Sequence, residues 1–323
     1  MLAHTPRYPI LMYHQIRPLP PPTDRLRSLS VAPDAFRRQM TLFKRLGYRG
    51  LSVRELQPYL RGERQGKVFG ISFDDGFVNV LTHAMPVLDA LGFTATCYFV
   101  AGRFGGANDW DAGAPTACSP LMTCADMLAW RDHGHEIGSH TLDHVALSHV
   151  SAPVSAFQLT ESKRQLEMLS GQCVESFCYP YGDLDARVRD QVIAAGYDNA
   201  TTTRRGCAGA TDDPFLLPRI PVVGGVGAVR LWFKCLKGRI AGCRYPIGHF
   251  APYLLRYCEA ARAFTWTIVR YFISMTVLLF DYTGVSVGSL TITTLQRRTF
   301  RCPCMVSAHW RPLFRPDRSS SVE

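Results

Sequence analysis

The chain of 323 residues is predicted to be an α/β protein built around a parallel sheet. Short apolar runs alternate with helix-like segments along residues 8–222, which is typical of repeated strand–helix units. Acidic side chains follow one apolar run at Asp74-Asp75, and an imidazole follows another at His140. Because parallel α/β folds place their chemistry at the C-terminal ends of the strands, both patterns favour the same fold class.

Apolar runs that are short and bounded by turn-forming residues are predicted to be strands. These runs cover residues 9–14, 67–73, 94–100, 135–139, 176–179 and 197–201. Helices are predicted between them from proline, capping and glycine signals. The helical segments are 33–47, a short helix after Ser52, 80–91, 123–134, 156–169 and 186–195.

The formal net charge of +10 is concentrated at the C-terminal end of the chain. Residues 1–225 contain 22 basic and 22 acidic residues, whereas residues 226–323 contain 14 basic and 4 acidic residues. A basic segment favours anionic lipid, nucleic acid or anionic glycan as a partner. Because the sequence shows no known nucleic-acid-binding module, we expect no nucleic-acid partner, and contact with a membrane surface stays open to the basic segment.

The eleven cysteines are odd in number and scattered, unlike a secreted disulfide framework. We therefore expect free thiols in a reducing compartment. The first nine residues include His4, Arg7 and two prolines, and they lack the apolar segment of a signal peptide. These features predict a cytoplasmic location, with membrane association through the basic segment as an extension of that prediction.

Residues 226–323 depart from the strand–helix alternation of the predicted domain at 8–225. They are predicted to be a basic C-terminal extension of unknown structure. Within the extension, residues 271–280 form an uninterrupted apolar stretch that is shorter than a membrane span. We expect a buried or interfacial helix there and a strand at 285–295.

The segment Phe73-Asp74-Asp75-Gly76 ends a predicted buried strand with two adjacent carboxylates. An Asp-Gly pair after an apolar run is also a common turn signal. Burying two acids is costly unless they are paired or bind a metal, which favours a functional role. Gly76 permits a sharp turn, so that both carboxylates can face one pocket.

A second motif, HTLDH, places His140 and His144 four residues apart. Some histidines in this His-rich stretch are expected to be surface or core residues. On a helical turn the spacing puts both rings on one side, where they can bind zinc at about 2.0–2.1 Å. The two motifs together offer two nitrogen ligands, one oxygen ligand and a spare carboxylate, which is the set that a metal-assisted hydrolase needs.

These motifs, followed in order by YPYG at residues 179–182, resemble the polysaccharide deacetylase superfamily (NodB-like, carbohydrate esterase family 4). The resemblance covers residues 8–222. It implies a distorted (β/α) barrel that removes N-acetyl groups from a glycan.

The resemblance also implies a role for each motif residue. Asp75, His140 and His144 correspond to the metal ligands, and Asp74 corresponds to the catalytic base. Zinc is the expected metal, although other divalent ions fit a site of two histidines and one aspartate. The backbone N–H of Tyr181 is expected to stabilise the oxyanion.

The chain departs from the family pattern in three places. The CYPYG segment has no arginine where many members have one that orients the base, and Val145 stands where many have proline. A late Leu-x-His motif that supplies the general acid is also missing. Met12-Tyr13-His14 resembles a rearranged subset of exopolysaccharide deacetylases in which an early strand supplies this histidine. His14 is therefore predicted to be the general acid; the alternative is that it only ends a strand.

Three further residues are candidate substrate contacts. Trp110 lies in a glycine-rich loop and can stack on a sugar ring, although tryptophan is more often a packing residue. Asp183 can hydrogen-bond sugar hydroxyls, although solvated loop acids are commoner. Arg219, in a Leu-Pro-Arg-Ile segment, either contacts the base or only packs.

The sequence thus predicts a metal-dependent hydrolase that removes N-acetyl groups from an acetylated amino-sugar glycan or a lipid-linked precursor. One alternative is a metal-dependent amidase that acts on a non-sugar amide. Another alternative is an inactive glycan-binding relative, against which the intact Asp74, Asp75, His140 and His144 argue.

Overall fold

The computed structural model of the chain describes residues 6–111 and 118–241. Strands and α-helices alternate along these residues, as the sequence predicts. The strands are β1 Arg7–Tyr13, β2 Gln15–Ile16, β3 Ser30–Val31, β4 Arg49–Leu51, β5 Val68–Phe73, β6 Thr96–Phe99, β7 Glu136–Ser139, β8 Ser176–Cys178, β9 Asn199–Arg205, β10 Cys207–Gly209 and β11 Leu217–Pro221. The helices are α1 Pro33–Arg45, α2 Val53–Leu60, α3 Val78–His83, α4 Met85–Leu91, α5 Cys124–Asp132, α6 Ala152–Ser170, α7 Ala186–Ala194 and α8 Ala228–Ala241.

Seven of the described strands run parallel and close into a barrel, in the order β1, β5, β6, β7, β8, β9 and β11. The ring closes because β1 pairs with β5 on one side and with β11 on the other. Two short strands flank it, β4 parallel to β5 and β10 antiparallel to β1. The distorted (β/α) barrel predicted from the sequence is therefore confirmed.

The register between β1 and β5 is fixed by aromatic packing at their ends. Tyr13 pairs with Phe73 across the two strands, and their rings stack with centroids 5.5 Å apart. Phe36 on α1 contacts both rings, and all three side chains are buried. A slip of one residue would turn these rings to the wrong face, and each buried ring stabilises the fold by roughly 1.5–3 kcal/mol. The register therefore brings the residues after Tyr13 and Phe73 side by side.

One predicted helix is divided in the structure. The sequence predicted a continuous helix over 80–91, but α3 ends at His83 and α4 begins at Met85. Pro86 lies in the first turn of α4, where its ring and its missing N–H interrupt the hydrogen bonding of a continuous helix. Gly92 then ends α4 in the left-handed conformation, as predicted.

Helix α8 lies within the predicted basic extension and packs against the barrel. Leu231 and Cys235 are buried on its inner face, and α8 contacts both α1 and β1. Just before α8, the carbonyl of Val226 accepts a hydrogen bond from the side chain of Gln39 at 2.7 Å. Residues up to 241 therefore belong to the same compact unit as the barrel, whereas the boundary at 225 stays a prediction.

The predictions for 271–280 and 285–295 lie outside the described residues. Across residues 6–111 and 118–241, no helix has both the length and the apolar character needed to cross a membrane. The described cysteines are all free thiols, namely Cys97, Cys118, Cys124, Cys173, Cys178, Cys207 and Cys235.

Candidate active site

The predicted base and the predicted acid lie next to each other at the C-terminal ends of β1 and β5. The backbone N–H of Asp74 donates to the carbonyl of Tyr13 at 3.0 Å, which extends the strand pairing by one residue. The imidazole Nε2 of His14 lies 3.8 Å from Asp74 Oδ2, and His14 is partly exposed. The register of β1 against β5 therefore accounts for the proximity that the sequence predicted.

Asp75, His140 and His144 converge on one point beside Asp74. Asp75 Oδ1 lies 3.4 Å from His140 Nε2 and 3.3 Å from His144 Nε2, and all three side chains are buried. These distances are longer than an ordinary N–H···O hydrogen bond. They match the edge, about 3.3–3.4 Å, of a tetrahedron whose corners lie about 2.0–2.1 Å from a zinc ion. The donor atoms thus fit a divalent metal held by two nitrogens and one oxygen.

A backbone contact fixes which nitrogen of His140 faces this point. His140 Nδ1 lies 2.7 Å from the carbonyl oxygen of Cys178, so the ring donates its proton there. The lone pair of Nε2 is then directed toward Asp75. An imidazole held in this way by a carbonyl is the usual support of a metal ligand.

The two imidazoles meet through an irregular loop, and the prediction of a helical turn is wrong. Thr141 and His144 both have positive φ, at 67° and 58°. The hydroxyl of Thr141 accepts the backbone N–H of His144 at 3.0 Å, which closes the loop. The spacing of four residues therefore joins the rings by left-handed backbone turns rather than by helical periodicity.

Backbone strain among the described residues is concentrated in this site. The non-glycine residues with positive φ are Asp75, Thr141, His144 and Tyr181. Each such conformation costs on the order of 1–3 kcal/mol and persists only where the surroundings impose it, most often in functional sites. Gly76 follows with φ 78°, and a Cβ there would lie 2.9 Å from the ring of Phe99. The sharp turn that the sequence predicted at Gly76 is therefore present.

Arg219 forms a buried ion pair with Asp74. Its Nη1 and Nη2 donate to Oδ1 and Oδ2 of Asp74 at 2.6 and 2.8 Å, and Arg219 is 0% exposed. Further bonds go to the carbonyl of Thr202 and the hydroxyl of Ser72. Of the two roles left open by the sequence, contact with the base is the one observed. Complete burial corrects the prediction that Arg219 contacts the substrate.

The pairing decides the charge of Asp74. Burial raises the pKa of Asp74, but the positive charges of Arg219 and His14 outweigh burial, so the pKa lies below its usual range. For Asp75, burial raises the pKa, and the neighbouring imidazoles of His140 and His144 lower it further than burial raises it. Both carboxylates are therefore ionised at neutral pH, which suits a proton acceptor and a metal ligand.

Comparison with known proteins agrees with the family resemblance of the sequence motifs. Residues 61–200 match the family model for polysaccharide deacetylase. The chain is 26% identical over 222 residues to YxkH of Bacillus subtilis (strain 168), whose name places it with the polysaccharide deacetylases. The alignment covers 68% of this chain and 73% of the relative. Both comparisons make the chain similar to polysaccharide deacetylases.

Solved deacetylase structures share the fold. The deacetylase PplD of Streptococcus pyogenes, solved in complex with acetate, is 25% identical with a TM-score of 0.62. That alignment covers 72% of this chain and 99% of PplD. The polysaccharide deacetylase BC0361 of Bacillus cereus is 24% identical with a TM-score of 0.61, over 72% of this chain and 69% of BC0361.

Two aromatic side chains of the barrel domain contact the ring of His144. The ring of Trp110 stacks on His144 with centroids 4.4 Å apart and an angle of 21°. The ring of Tyr181 lies edge-on to the His144 ring, with centroids 4.6 Å apart, and Tyr181 is 56% exposed. Trp110 therefore packs against a predicted metal ligand, while Tyr181 presents an open aromatic surface beside the site.

Asp183 has a structural role beside the site. Its carboxylate accepts the backbone N–H of Ser148 at 2.8 Å and the Ser148 hydroxyl at 2.7 Å. These bonds join the loop after β8 to the loop after His144. Both carboxylate oxygens of Asp183 already accept a hydrogen bond from Ser148. The contact of Asp183 with substrate hydroxyls stays a prediction.

Two supporting residues escaped the sequence analysis. Gln158 on α6 accepts the backbone N–H groups of Leu142 and Asp143 at 3.1 and 3.0 Å, which holds the HTLDH loop. Cys178 contacts Arg219 Nη2 through its sulfur at 3.2 Å and supplies the carbonyl that holds His140. The position of Cys178 near the end of a predicted strand could have indicated its place beside the site. The sequence around Gln158 contains no such signal.

Replacing Arg219 is expected to move the pH dependence of deacetylation. Asp74 accepts a proton only when ionised, so activity is lost as pH falls through its pKa. Arg219→Met removes the charge that lowers this pKa, so the acid limb of the kcat/KM profile should shift to higher pH. Arg219→Lys keeps the charge and should shift the limb less.

Removing one partner of a buried ion pair costs roughly 3–5 kcal/mol, so thermal unfolding of each variant must accompany the kinetics. The exposed Arg204 provides the matched control, because Arg204→Met removes a nearby charge that has no contact with Asp74. An acid limb that stays in place in a folded Arg219→Met variant would contradict the role given to this ion pair.

Proposed function

We propose that the protein is a metal-dependent hydrolase that removes N-acetyl groups from an acetylated amino-sugar glycan. The observation that supports this most directly is the position of Asp74, between Arg219 and His14 and beside the Asp75–His140–His144 cluster. An ionised base, an adjacent imidazole and a three-atom metal site are the groups that amide hydrolysis by activated water requires.

A divalent cation, most simply zinc, fits the donor atoms of Asp75, His140 and His144. When bound, it lowers the pKa of a coordinated water and polarises the acyl carbonyl. The single carboxylate would balance half of the charge of such a cation, and the two neutral nitrogens would leave the other half to activate the water. The surrounding burial strengthens these interactions, because charges attract more strongly where water is excluded.

Asp74 accepts the proton of the attacking water. Its two oxygens are fixed by Arg219, so the carboxylate keeps one orientation while the new carbon–oxygen bond forms. As the carbon–nitrogen bond breaks, the imidazole of His14 donates a proton to the leaving amine. In this proposal the backbone N–H of Tyr181, in the turn after β8, stabilises the developing oxyanion. The products are acetate and a free amino sugar.

The proposal also includes a product, a cellular location and a membrane contact. Acetate bound to the similar PplD structure supports acetate as a product. A cytoplasmic or inner-face location would suit a lipid-linked glycan precursor made before export. The basic residues at 226–323 support contact with such a membrane surface by their charge.

Acetate release from a panel of amides tests the proposed substrate class. The full chain, supplied with zinc, should release acetate from N-acetylglucosamine oligomers more readily than from simple N-acetylated amines or amino acids. This preference is expected because the open ring of Tyr181 can stack on a sugar. Equal or faster cleavage of the non-sugar amides would favour the amidase alternative, and no release from any member would favour a binding protein.

His14 is expected to contribute as the proton donor. His14→Ala should lower kcat by about 10²–10⁴-fold and remove the basic limb of the pH–rate profile, because general acid catalysis typically contributes a factor of that size. His83→Ala, which alters an exposed histidine on α3, is the matched control and should leave the profile unchanged. A His14→Ala enzyme with an unchanged rate and basic limb would exclude His14 from the mechanism.

A further inference from the structure

A cleft of about 910 Å³ lies on the outer surface of the barrel, between β11 and α8. Its floor consists of uncharged residues from β10 and β11 and the connections beside them. These floor residues are Gly206, Cys207, Pro218, Ile220, Pro221 and Val223. Lys234, Lys237 and Gly238 of α8 and the side chains of Arg7 and Arg205 complete its lining.

The cleft and the catalytic site lie on opposite faces of β11. Arg219 projects into the barrel and pairs with Asp74, whereas its neighbours Pro218 and Ile220 line the cleft. Successive side chains of a strand alternate between its two faces, so this arrangement follows from the backbone. A molecule in the cleft would therefore not touch Asp74.

The cleft contains positive charge that the described residues do not neutralise. Arg205, Lys234 and Lys237 all line it, and none of them forms an ion pair within residues 6–111 and 118–241. Arg7 also lines the cleft, but its guanidinium is paired with Asp212 at 2.7 Å. Three cations gathered around one concave surface repel one another unless an anion lies between them.

The two lysines are held in place by close packing of α8. A Cβ added to Gly238 would lie 2.7 Å from the sulfur of Cys207, so only glycine permits this approach. The thiol of Cys207 also donates to the carbonyl of Cys235 at 3.7 Å. Lys234 and Lys237, three residues apart, therefore lie on the same side of a fixed helix.

Residues 242–323 contain 10 arginines and 4 acidic residues, so the net charge of this segment has the same sign as that of the cleft. This charge balance favours an anionic ligand from another molecule as the occupant.

We infer that the cleft binds a phosphate-bearing ligand. A phosphate has up to two negative charges and three acceptor oxygens, which match one guanidinium and two ammonium groups. The apolar floor suits the uncharged part of the same ligand. A lipid headgroup and a soluble phosphate ester share this chemistry, and the following experiment separates them.

Calorimetric titration of the full chain with inorganic pyrophosphate tests the site, with sodium sulfate at equal ionic strength as the comparison. Pyrophosphate should bind once per chain. Lys234→Glu/Lys237→Glu should weaken binding by at least about tenfold, because two attractive charges become repulsive. Arg230→Glu makes the same charge change on α8 outside the cleft, so it should retain affinity within about twofold.

Absence of pyrophosphate binding, equally tight sulfate binding, or an equal loss in Arg230→Glu would overturn the inference. Lys234→Gln/Lys237→Gln, with circular dichroism for each variant, keeps the test valid if the reversed charges impair folding. Acetate release should be unchanged in these variants, so failure of the cleft and failure of the proposed deacetylation are distinguishable.

Vesicles assign the source of the phosphate. Co-sedimentation is measured with phosphatidylcholine alone and with phosphatidylcholine mixed with phosphatidylglycerol. Binding to the anionic vesicles that Lys234→Glu/Lys237→Glu abolishes assigns the cleft to a lipid headgroup. The alternative result is that pyrophosphate binds in the cleft, while vesicle binding is either absent or unchanged by these substitutions. That result assigns the cleft to a soluble phosphate ester.

Discussion

The buried ion pair of Arg219 and Asp74 joins two strands on opposite sides of β1. Arg219 belongs to β11 and Asp74 follows β5, and β1 pairs with both strands. Two charges in a dry interior are tolerated only when paired in good geometry, and both hydrogen bonds here are short. The barrel must therefore close in this register for either residue to be buried. The same closure sets His14 beside Asp74.

The proposed metal site depends on hydrogen bonds to its loops rather than on strand pairing. Its ligands lie in turns, and three of the strained residues, Asp75, Thr141 and His144, form or connect the ligands. Side chains from neighbouring elements hold these turns, with Gln158 accepting two loop N–H groups and the carbonyl of Cys178 fixing His140. Rigid strand ends thus hold the proposed base and acid, while supported loops hold the proposed metal ligands.

Local sequence patterns were sufficient for much of the fold and for proposing the ligand residues. Apolar runs and caps located six of the seven barrel strands and most helices, since such signals act within a few residues, whereas β11 was not predicted. The partner of Asp74 was harder to assign, because Arg219 is 145 positions away and only the closed barrel unites them. The backbone at His144 was predicted wrongly, because left-handed turns in non-glycine residues are imposed by tertiary contacts rather than by the residues themselves.

Asp74 and Asp75 have different roles in the proposed reaction, and replacing each by asparagine separates these roles. Bound zinc and acetate release are measured on the same preparations of Asp74→Asn and Asp75→Asn. Asp74→Asn is predicted to retain about one zinc per chain and to lose acetate release, because three ligands remain but the proton acceptor is gone. Asp75→Asn is predicted to lose both. Loss of zinc in Asp74→Asn with full retention in Asp75→Asn would contradict the account.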